Sequence, residues 1–318
     1  MAKILVLGAG VWGTAVASVL ADSGNEVHTW SYIEGPVPDL NSGIHRNLDV
    51  PYSSKVRFFH SDLNELEGHD FIFIALPSQT IKENLVNINQ KKNFIILSKG
   101  IDIESGKRIS QTLAEIGKEN IASLYGPTHA KELLKGAFSF MTCSSENTEF
   151  AKEVTSLFNV DYLNIIKDND IAFTEIMAAM KNIYAIAYGI AEGMNLSINS
   201  KSALISISCM EIKKMVNFIN SNMKLHLPNG VGDLIATFMH GRNRRFGEMI
   251  GRGISKEDAL KKMNTVVEGI STIRAVKKLS DKNNLELKLN DLLYSILYEG
   301  VDYRNLLTIF KEKIDDRF

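Results

Sequence analysis

Cysteine is nearly absent from this chain: Cys143 and Cys209 are the only two in 318 residues. Two thiols cannot build a disulfide framework, and the expectation is a cytoplasmic protein with both reduced and mostly buried. Net charge is also lacking. With 36 basic and 37 acidic side chains the formal charge is −1, which excludes the broad basic footprint of a nucleic-acid partner or a basic membrane face. No apolar run reaches the ~20 residues of a transmembrane helix, so no membrane insertion is expected. The seven histidines form no H-x-x-x-H or Cys/His cluster, so no metal site is expected. No internal repeat or low-complexity linker breaks the chain.

What is present starts at the third residue. Lys3-Ile4-Leu5-Val6-Leu7 is an apolar, β-type run that enters Gly8-Ala9-Gly10-Val11-Trp12-Gly13, and a small-residue helical pattern leaves it. This G-x-G-x-x-G in strand–turn–helix context suits a dinucleotide pyrophosphate. Gly8 permits the sharp turn, Gly10 lets the backbone approach the phosphates, and Gly13 lets the helix lie against the strand. The helix N-terminus then offers N–H groups and positive dipole to the anion. Lys3, the apolar run and Ala15-Val16-Ala17 also resemble a secretory signal. Three glycines interrupt that run, however, and the downstream sheet depends on this strand.

The length predicts two domains. Strands are expected at 3–7, 26–30, 55–60, 70–76, 94–97, 121–124, 138–143 and 161–166, with helical stretches between them, so the first half reads as βαβ units and a mostly parallel sheet. Four strand ends carry notable residues, Gly8-Ala9-Gly10, Pro77-Ser78, Ser98-Lys99-Gly100 and Tyr125-Gly126-Pro127-Thr128. In parallel sheets ligands gather at such carboxyl ends, so these four should converge. After Asp168-Asn169-Asp170, read as a helix cap, strand signals stop. The expected fold is an α/β Rossmann-type N-terminal domain (1–168) followed by an all-α C-terminal domain (169–318).

Chemistry-bearing residues are few. The stretch 171–191 is almost wholly apolar, except for Thr174, Glu175, Lys181 and Asn182. Thr174/Lys181 and Glu175/Asn182 are each seven apart and share a helical stripe. Lys181 has Met177, Tyr184 and Tyr188 around it, and apolar walls would lower its pKa toward acid–base use. Alternatively, the stripe is the solvated edge of a core helix. Lys99 is either a turn lysine in water or a site cation at a strand end. Asp233, in Gly230-Val231-Gly232-Asp233, reads as a helix N-cap that could also face a cleft. Gly241-Arg242-Asn243-Arg244-Arg245-Phe246-Gly247 is either a solvated helix face or an anion site built on arginine's forked donors.

Taken together and in order, GAGVWGTA, Pro77-Ser78, Ser98-Lys99-Gly100, Gly126-Pro127-Thr128-His129-Ala130, Ala179-Met180-Lys181-Asn182, Gly232-Asp233-Leu234, the 241–247 stretch and Val266-Val267-Glu268-Gly269 resemble the bacterial-type NAD(P)-dependent glycerol-3-phosphate dehydrogenases over essentially the whole chain. The resemblance implies reversible hydride transfer between NAD(P)H and dihydroxyacetone phosphate, giving sn-glycerol 3-phosphate for phospholipid synthesis, in a cleft between the domains. It implies Lys181 as general acid/base, Asp233 positioning its ammonium, and Lys99 touching both substrate and nicotinamide. Gly126 and Thr128 would line the substrate site, and Gly241, Arg242 and Asn243 would hold its phosphate. Besides Gly8, Gly10 and Gly13, the cofactor would meet Val11, Trp12, Tyr32, Lys99, Ala130, Arg242, Val266 and Glu268. A homodimer is the family expectation.

Three departures stand out. Thr29-Trp30-Ser31-Tyr32 lacks a carboxylate for an NAD ribose, and Tyr32 stands where relatives often have a basic residue, which leans the cofactor toward NADPH. Val11 replaces a common serine and leaves only its backbone N–H. The 199–207 segment keeps Asn199 and Ala203-Leu204-Ile205 without the usual Thr-Arg-Gly continuation. A β-hydroxyacid dehydrogenase would share the layout but would not need the Arg242/Asn243 phosphate site. A dinucleotide-sensing regulator would need neither Lys181 nor Asp233.

Overall fold

The computed structural model describes residues 1–63, 68–86, 88, 91 and 93–311. The helical reading of 312–318 lies outside them. The chain divides into two compact units. The first comprises Met1–Ser98, Ile109–Thr174 and Leu225–Asp233. The second comprises Lys99–Arg108, Glu175–Lys224 and Leu234–Phe318.

The first unit is an α/β layer structure. Its elements are β1 (Lys3–Leu7), α1 (Val11–Asp22), β2 (Glu26–Trp30), α2 (Val37–Asn41), β3 (Arg57–Phe59), β4 (Phe71–Ile74), α3 (Ile81–Leu85), β5 (Phe94–Ile96), α4 (Ile109–Glu115), β6 (Ile121–Tyr125), α5 (Ala130–Leu134), β7 (Ser139–Ser144), α6 (Thr148–Ser156) and β8 (Leu163–Asp168). The sheet order is β3-β2-β1-β4-β5-β6-β7-β8. Every neighbour pair is parallel except β6–β7. All eight expected strands form, the first two with the expected ends and the others with ends shifted by at most two residues. The central strands are apolar on both faces, as strands covered by helices on two sides must be; Ile4–Leu7, Phe71–Ile74 and Phe94–Ile96 are all buried. Because β1, β4, β5 and β6 are consecutive and parallel, the four turns singled out above leave the same edge of the sheet. Ser98 Oγ ties two of them by donating to the Ile74 and Leu76 carbonyls (3.0 and 2.5 Å), and Tyr125 Oη donates to the Ser98 carbonyl (2.5 Å).

The second unit is helical: most of α7 (Ile171–Gly193), α8 (Ile198–Phe218), the bulk of α9 (Asp233–Met239), α10 (Arg242–Gly251), α11 (Lys256–Met263), α12 (Glu268–Asn283) and α13 (Lys288–Tyr298). Asp170 caps α7 as expected, its Oδ1 accepting from the Phe173 N–H at 2.9 Å. Helix α7 is all but fully buried, and it meets α10 through glycines on both partners. A Cβ on Gly189 or Gly193 would lie 2.1 Å from the Arg244 carbonyl oxygen or 2.3 Å from that of Glu248. One on Gly247 or Gly251 would lie 2.1 Å from the Ile186 oxygen or 2.2 Å from that of Ile190. The two backbones are therefore in direct contact, a geometry that small residues at i, i+4 spacing allow.

The N-cap position of α13 is Leu287, which has no side chain able to cap the helix. The Glu211 carboxylate of α8 takes that role, accepting from the Leu289 and Asn290 N–H groups (2.6 and 3.2 Å) and from Tyr184 Oη of α7 (2.9 Å). Burial nonetheless pushes the Glu211 carboxyl from 4.5 up to about 7, outweighing the hydrogen bonds that favour its charge. Between those two values the folded state holds a proton that the unfolded state has released, so this residue's contribution to stability falls as pH rises. Wild type should lose about 3 kcal/mol relative to Glu211→Gln between pH 4.5 and 7. Urea unfolding of both proteins across that range checks it, and parallel pH curves would refute it.

Candidate active site

In the first unit the turn between β1 and α1 is shaped by backbone contact. Gly8 has φ +114°, and a Cβ there would lie 2.7 Å from the Ala75 carbonyl oxygen. A Cβ on Gly13 would lie 2.0 Å from the Gly8 oxygen, so strand, turn and helix touch without side chains. At Gly10, by contrast, a Cβ would meet nothing within 4 Å, leaving open space above the turn. Gly10 caps α1 with no side-chain hydrogen bond, so the Val11 and Trp12 N–H groups open the helix toward an anion. Residues of this kind fit a dinucleotide. Trp12 Nε1 is buried and has no partner among the described residues. One contact here has no sequence signature: His45 Nε2 lies 3.2 Å from the Ala9 carbonyl oxygen, which places a loop residue on the turn itself. Tyr32 is 69% exposed just past the end of β2.

The loop after β6 is shaped by contact with β7. A Cβ on Gly126 would lie 2.3 Å from the Phe140 oxygen, so packing requires a glycine there whatever ligand lies nearby. Thr128 Oγ1 is buried without a partner among the described residues, an unspent donor and acceptor on the same loop. Ala130 begins α5 and is half-buried. Asp233 is buried as the first residue of α9, where a carboxylate also complements the helix dipole.

The second unit gathers the cations. Lys181 is only 1% exposed, with Glu175 and Asn182 also buried. The solvated-edge alternative is thereby excluded. Thr174 is turned to structural use, its hydroxyl 2.6 Å from Ser144 Oγ. The three arginines of 242–245 separate by partner. Arg244 pairs with Glu248 at 3.2 Å and Glu192 at 3.8 Å, Arg245 is exposed, and exposed Arg242 donates to the neutral Thr265 hydroxyl at 3.1 Å. Glu268, half-buried at the start of α12, lies in the field of Arg242, Lys99 and Lys181; burial pushes its carboxyl up while these three cations pull it down. The structure thus brings Lys99, Lys181, Arg242 and Glu268 together. Val266, 56% exposed, lies two residues before Glu268.

Asn243 is more committed than its sequence suggests. Its Nδ2 donates to Asn182 Oδ1 and its Oδ1 accepts from the Gly269 N–H, both at 2.9 Å. A Cβ on Gly269 would come within 2.6 Å of the Asn182 carbonyl oxygen. Asn243 therefore clamps the starts of α10 and α12 onto α7. What it retains for a ligand is one Nδ2 proton and its backbone N–H near the α10 N-terminus, beside Gly241 and Arg242. Asn182 as the receiving half of this clamp was missed from sequence, although its seven-residue spacing from Glu175 marks the stripe. The glycine pairs of α7 and α10, each four apart, were equally visible and unread.

Comparison with known proteins bears on these features. Residues 3–151 match the family model for the NAD-dependent glycerol-3-phosphate dehydrogenase N-terminus, and residues 170–308 match that for its C-terminus. The chain is 34% identical over 321 residues to a glycerol-3-phosphate dehydrogenase [NAD(P)+] of Thermotoga sp. (strain RQ2), covering 99% of each. It is 36% identical to the Bacillus pumilus enzyme of the same name, over 94% of this chain and 91% of that one. The crystal structure of glycerol-3-phosphate dehydrogenase from Coxiella burnetii superposes with a TM-score of 0.93 at 29% identity, covering 98% and 99% of the two chains. With both family models matched in order and relatives aligned end to end, this chain belongs to the NAD-dependent glycerol-3-phosphate dehydrogenase family.

Proposed function

We propose that the protein catalyses the reversible NAD(P)H-dependent reduction of dihydroxyacetone phosphate to sn-glycerol 3-phosphate, the step that feeds glycerophospholipid synthesis. The observation that carries this reading is the set of Lys99, Lys181 and Arg242 around Glu268 in a chain of this family. The turn Gly8–Gly13 and the start of α1 would hold the dinucleotide pyrophosphate, with Trp12, Tyr32, Ala130, Val266 and Glu268 along the rest of it. Bound NAD(P)H supplies the hydride. Lys181 donates the proton to the carbonyl oxygen as negative charge develops there, and its ammonium stabilises that charge before and during transfer. Asp233 orients Lys181, and Lys99 adds a second cation at the same carbonyl.

Substrate orientation comes from the far end of the molecule. Arg242 offers a forked donor pair, and the α10 N-terminus adds the backbone N–H groups of Gly241 to Asn243 to bind the phosphate. Gly126 and Thr128 line the path between phosphate and carbonyl. Anchoring a remote dianion supplies binding energy that fixes the carbonyl for reaction. The exposed Tyr32 and the lack of a carboxylate in Thr29-Trp30-Ser31-Tyr32 support NADPH over NADH. The same reading places the enzyme in the cytoplasm as a homodimer.

The test is oxidation of NADPH and of NADH with dihydroxyacetone phosphate, using unphosphorylated dihydroxyacetone as control. The phosphorylated ketone should be favoured by roughly 10³-fold in kcat/KM, as expected when a charge-assisted phosphate site is left unused by the control. Arg242→Ala should raise KM for the phosphorylated ketone far more than KM for NADPH and erase most of that preference. Equal effects on both substrates would remove the phosphate role.

A further inference from the structure

Lys99 directly follows Ser98 of the sheet unit, yet Lys99–Arg108 groups with the helical unit. The reason is a small hairpin. Ile101 and Arg108 form an antiparallel bridge, the Asp102 N–H donates to the Lys107 carbonyl at 3.0 Å, and the Gly106 N–H donates to the Asp102 carbonyl at 2.9 Å. Asp102 Oδ1 stiffens the turn by accepting from the Ser105 N–H and hydroxyl (2.7 and 2.5 Å). At the tip, Gly106 packs on Leu279 of α12, and Lys278 reaches Glu104 at 3.1 Å across two exposed side chains. An exposed pair of that kind contributes little.

The base of the hairpin is held differently. Arg108 Nη1 donates to Glu175 Oε2 at 2.9 Å, with the arginine side chain 15% exposed and the glutamate 2%. Arg108 is paired through the bridge with Ile101, itself buried and two residues from Lys99. Glu175 lies six residues before Lys181 on α7, about 9 Å along the helix axis. One rigid helix thus carries Lys181 directly and holds the strand bearing Lys99 through a charge pair.

We propose that Glu175 and Arg108 are positioning residues for Lys99, so that α7 helps to fix the separation of the two lysine amines that act on the substrate carbonyl. This rests on the role given to Lys99 above. Neither residue touches the reacting atoms; their effect passes through the hairpin. A misplacement of a site group by about 1 Å is enough to lower rate by up to 10²-fold.

A double-mutant cycle in the full-length enzyme tests this. Glu175→Gln keeps shape and removes the charge; it should lower kcat/KM for dihydroxyacetone phosphate by roughly 10- to 100-fold when Lys99 is present. In a Lys99→Met background the same substitution should change kcat/KM less than about twofold, while its shift in unfolding temperature is the same in both backgrounds. Arg108→Gln should repeat this pattern from the other side of the pair. An equal loss of activity in both backgrounds would mean that the pair acts only through stability, and no loss with Lys99 present would mean that it does not position the amine. Either result overturns the proposal, as does an unchanged kcat/KM in Lys99→Met alone. Absence of turnover in the unsubstituted enzyme would instead overturn the proposed function, and the two failures are told apart by that first measurement.

Discussion

Replacing Lys181 by alanine should lower kcat for dihydroxyacetone phosphate reduction by roughly 10²–10⁴-fold, while NADPH still binds with near wild-type affinity. That range corresponds to about 3–5 kcal/mol of lost transition-state stabilisation, the size expected when one proton donor and one positive charge leave a developing oxyanion. The residue is buried on a buried helix, and Glu268 sits in its field. Truncation therefore also leaves space in a packed region, and Lys181→Met, which fills most of that space, separates chemistry from folding. Both variants should show the same kinetic defect, and the methionine variant should unfold near the wild-type temperature. Activity near wild type in the methionine variant would end the acid/base assignment.

The second large effect is structural. Gly247→Ala sets two terms against each other. Alanine in a helix interior is favoured over glycine by about 1 kcal/mol. Against that, its Cβ would lie 2.1 Å from the Ile186 carbonyl oxygen, a backbone atom of a buried helix that cannot rotate away. Overpacking of this sort costs about 1–3 kcal/mol or more, and contact with backbone belongs at the upper end. The clash wins, and a net loss of about 2 kcal/mol should lower the unfolding temperature by roughly 4–8 °C. Because α10 starts at Arg242 and Asn243, separating α10 from α7 should also raise KM for the phosphorylated ketone. An unchanged unfolding temperature would show that the two helices are not in backbone contact.

Much of the candidate site was legible because its residues break local patterns. Gly8, Gly10 and Gly13 interrupt an apolar strand–helix transition, Lys181 interrupts an apolar helix, and the 241–247 stretch puts Arg242 and Asn243 between glycines. What stayed hidden involves partners distant in the chain. Asn182 and Asn243 are 61 residues apart, yet together they fix the starts of α10 and α12. Glu175 and Arg108 are 67 apart. Glu211 substitutes for the capping side chain that Leu287 lacks, from a different helix. His45 reaches the glycine turn after β1 from a loop with no periodicity to read. Spacing rules describe neighbours on one element and carry no information about which second element lies against it.

By itself, the amino-acid sequence determined the order of strands and helices, the parallel character of most of the sheet and the glycine turn between β1 and α1, since each follows from side-chain periodicity and backbone freedom within a few residues. Only the tertiary structure decided that the residues from Lys99 to Arg108 group with the helices, that Lys181 is buried, that Arg244 is spent on carboxylates while Arg242 meets a neutral hydroxyl, and that two glycine-faced helices touch backbone to backbone. Each of these depends on burial and charge pairing between distant segments, which exist only once the chain has packed.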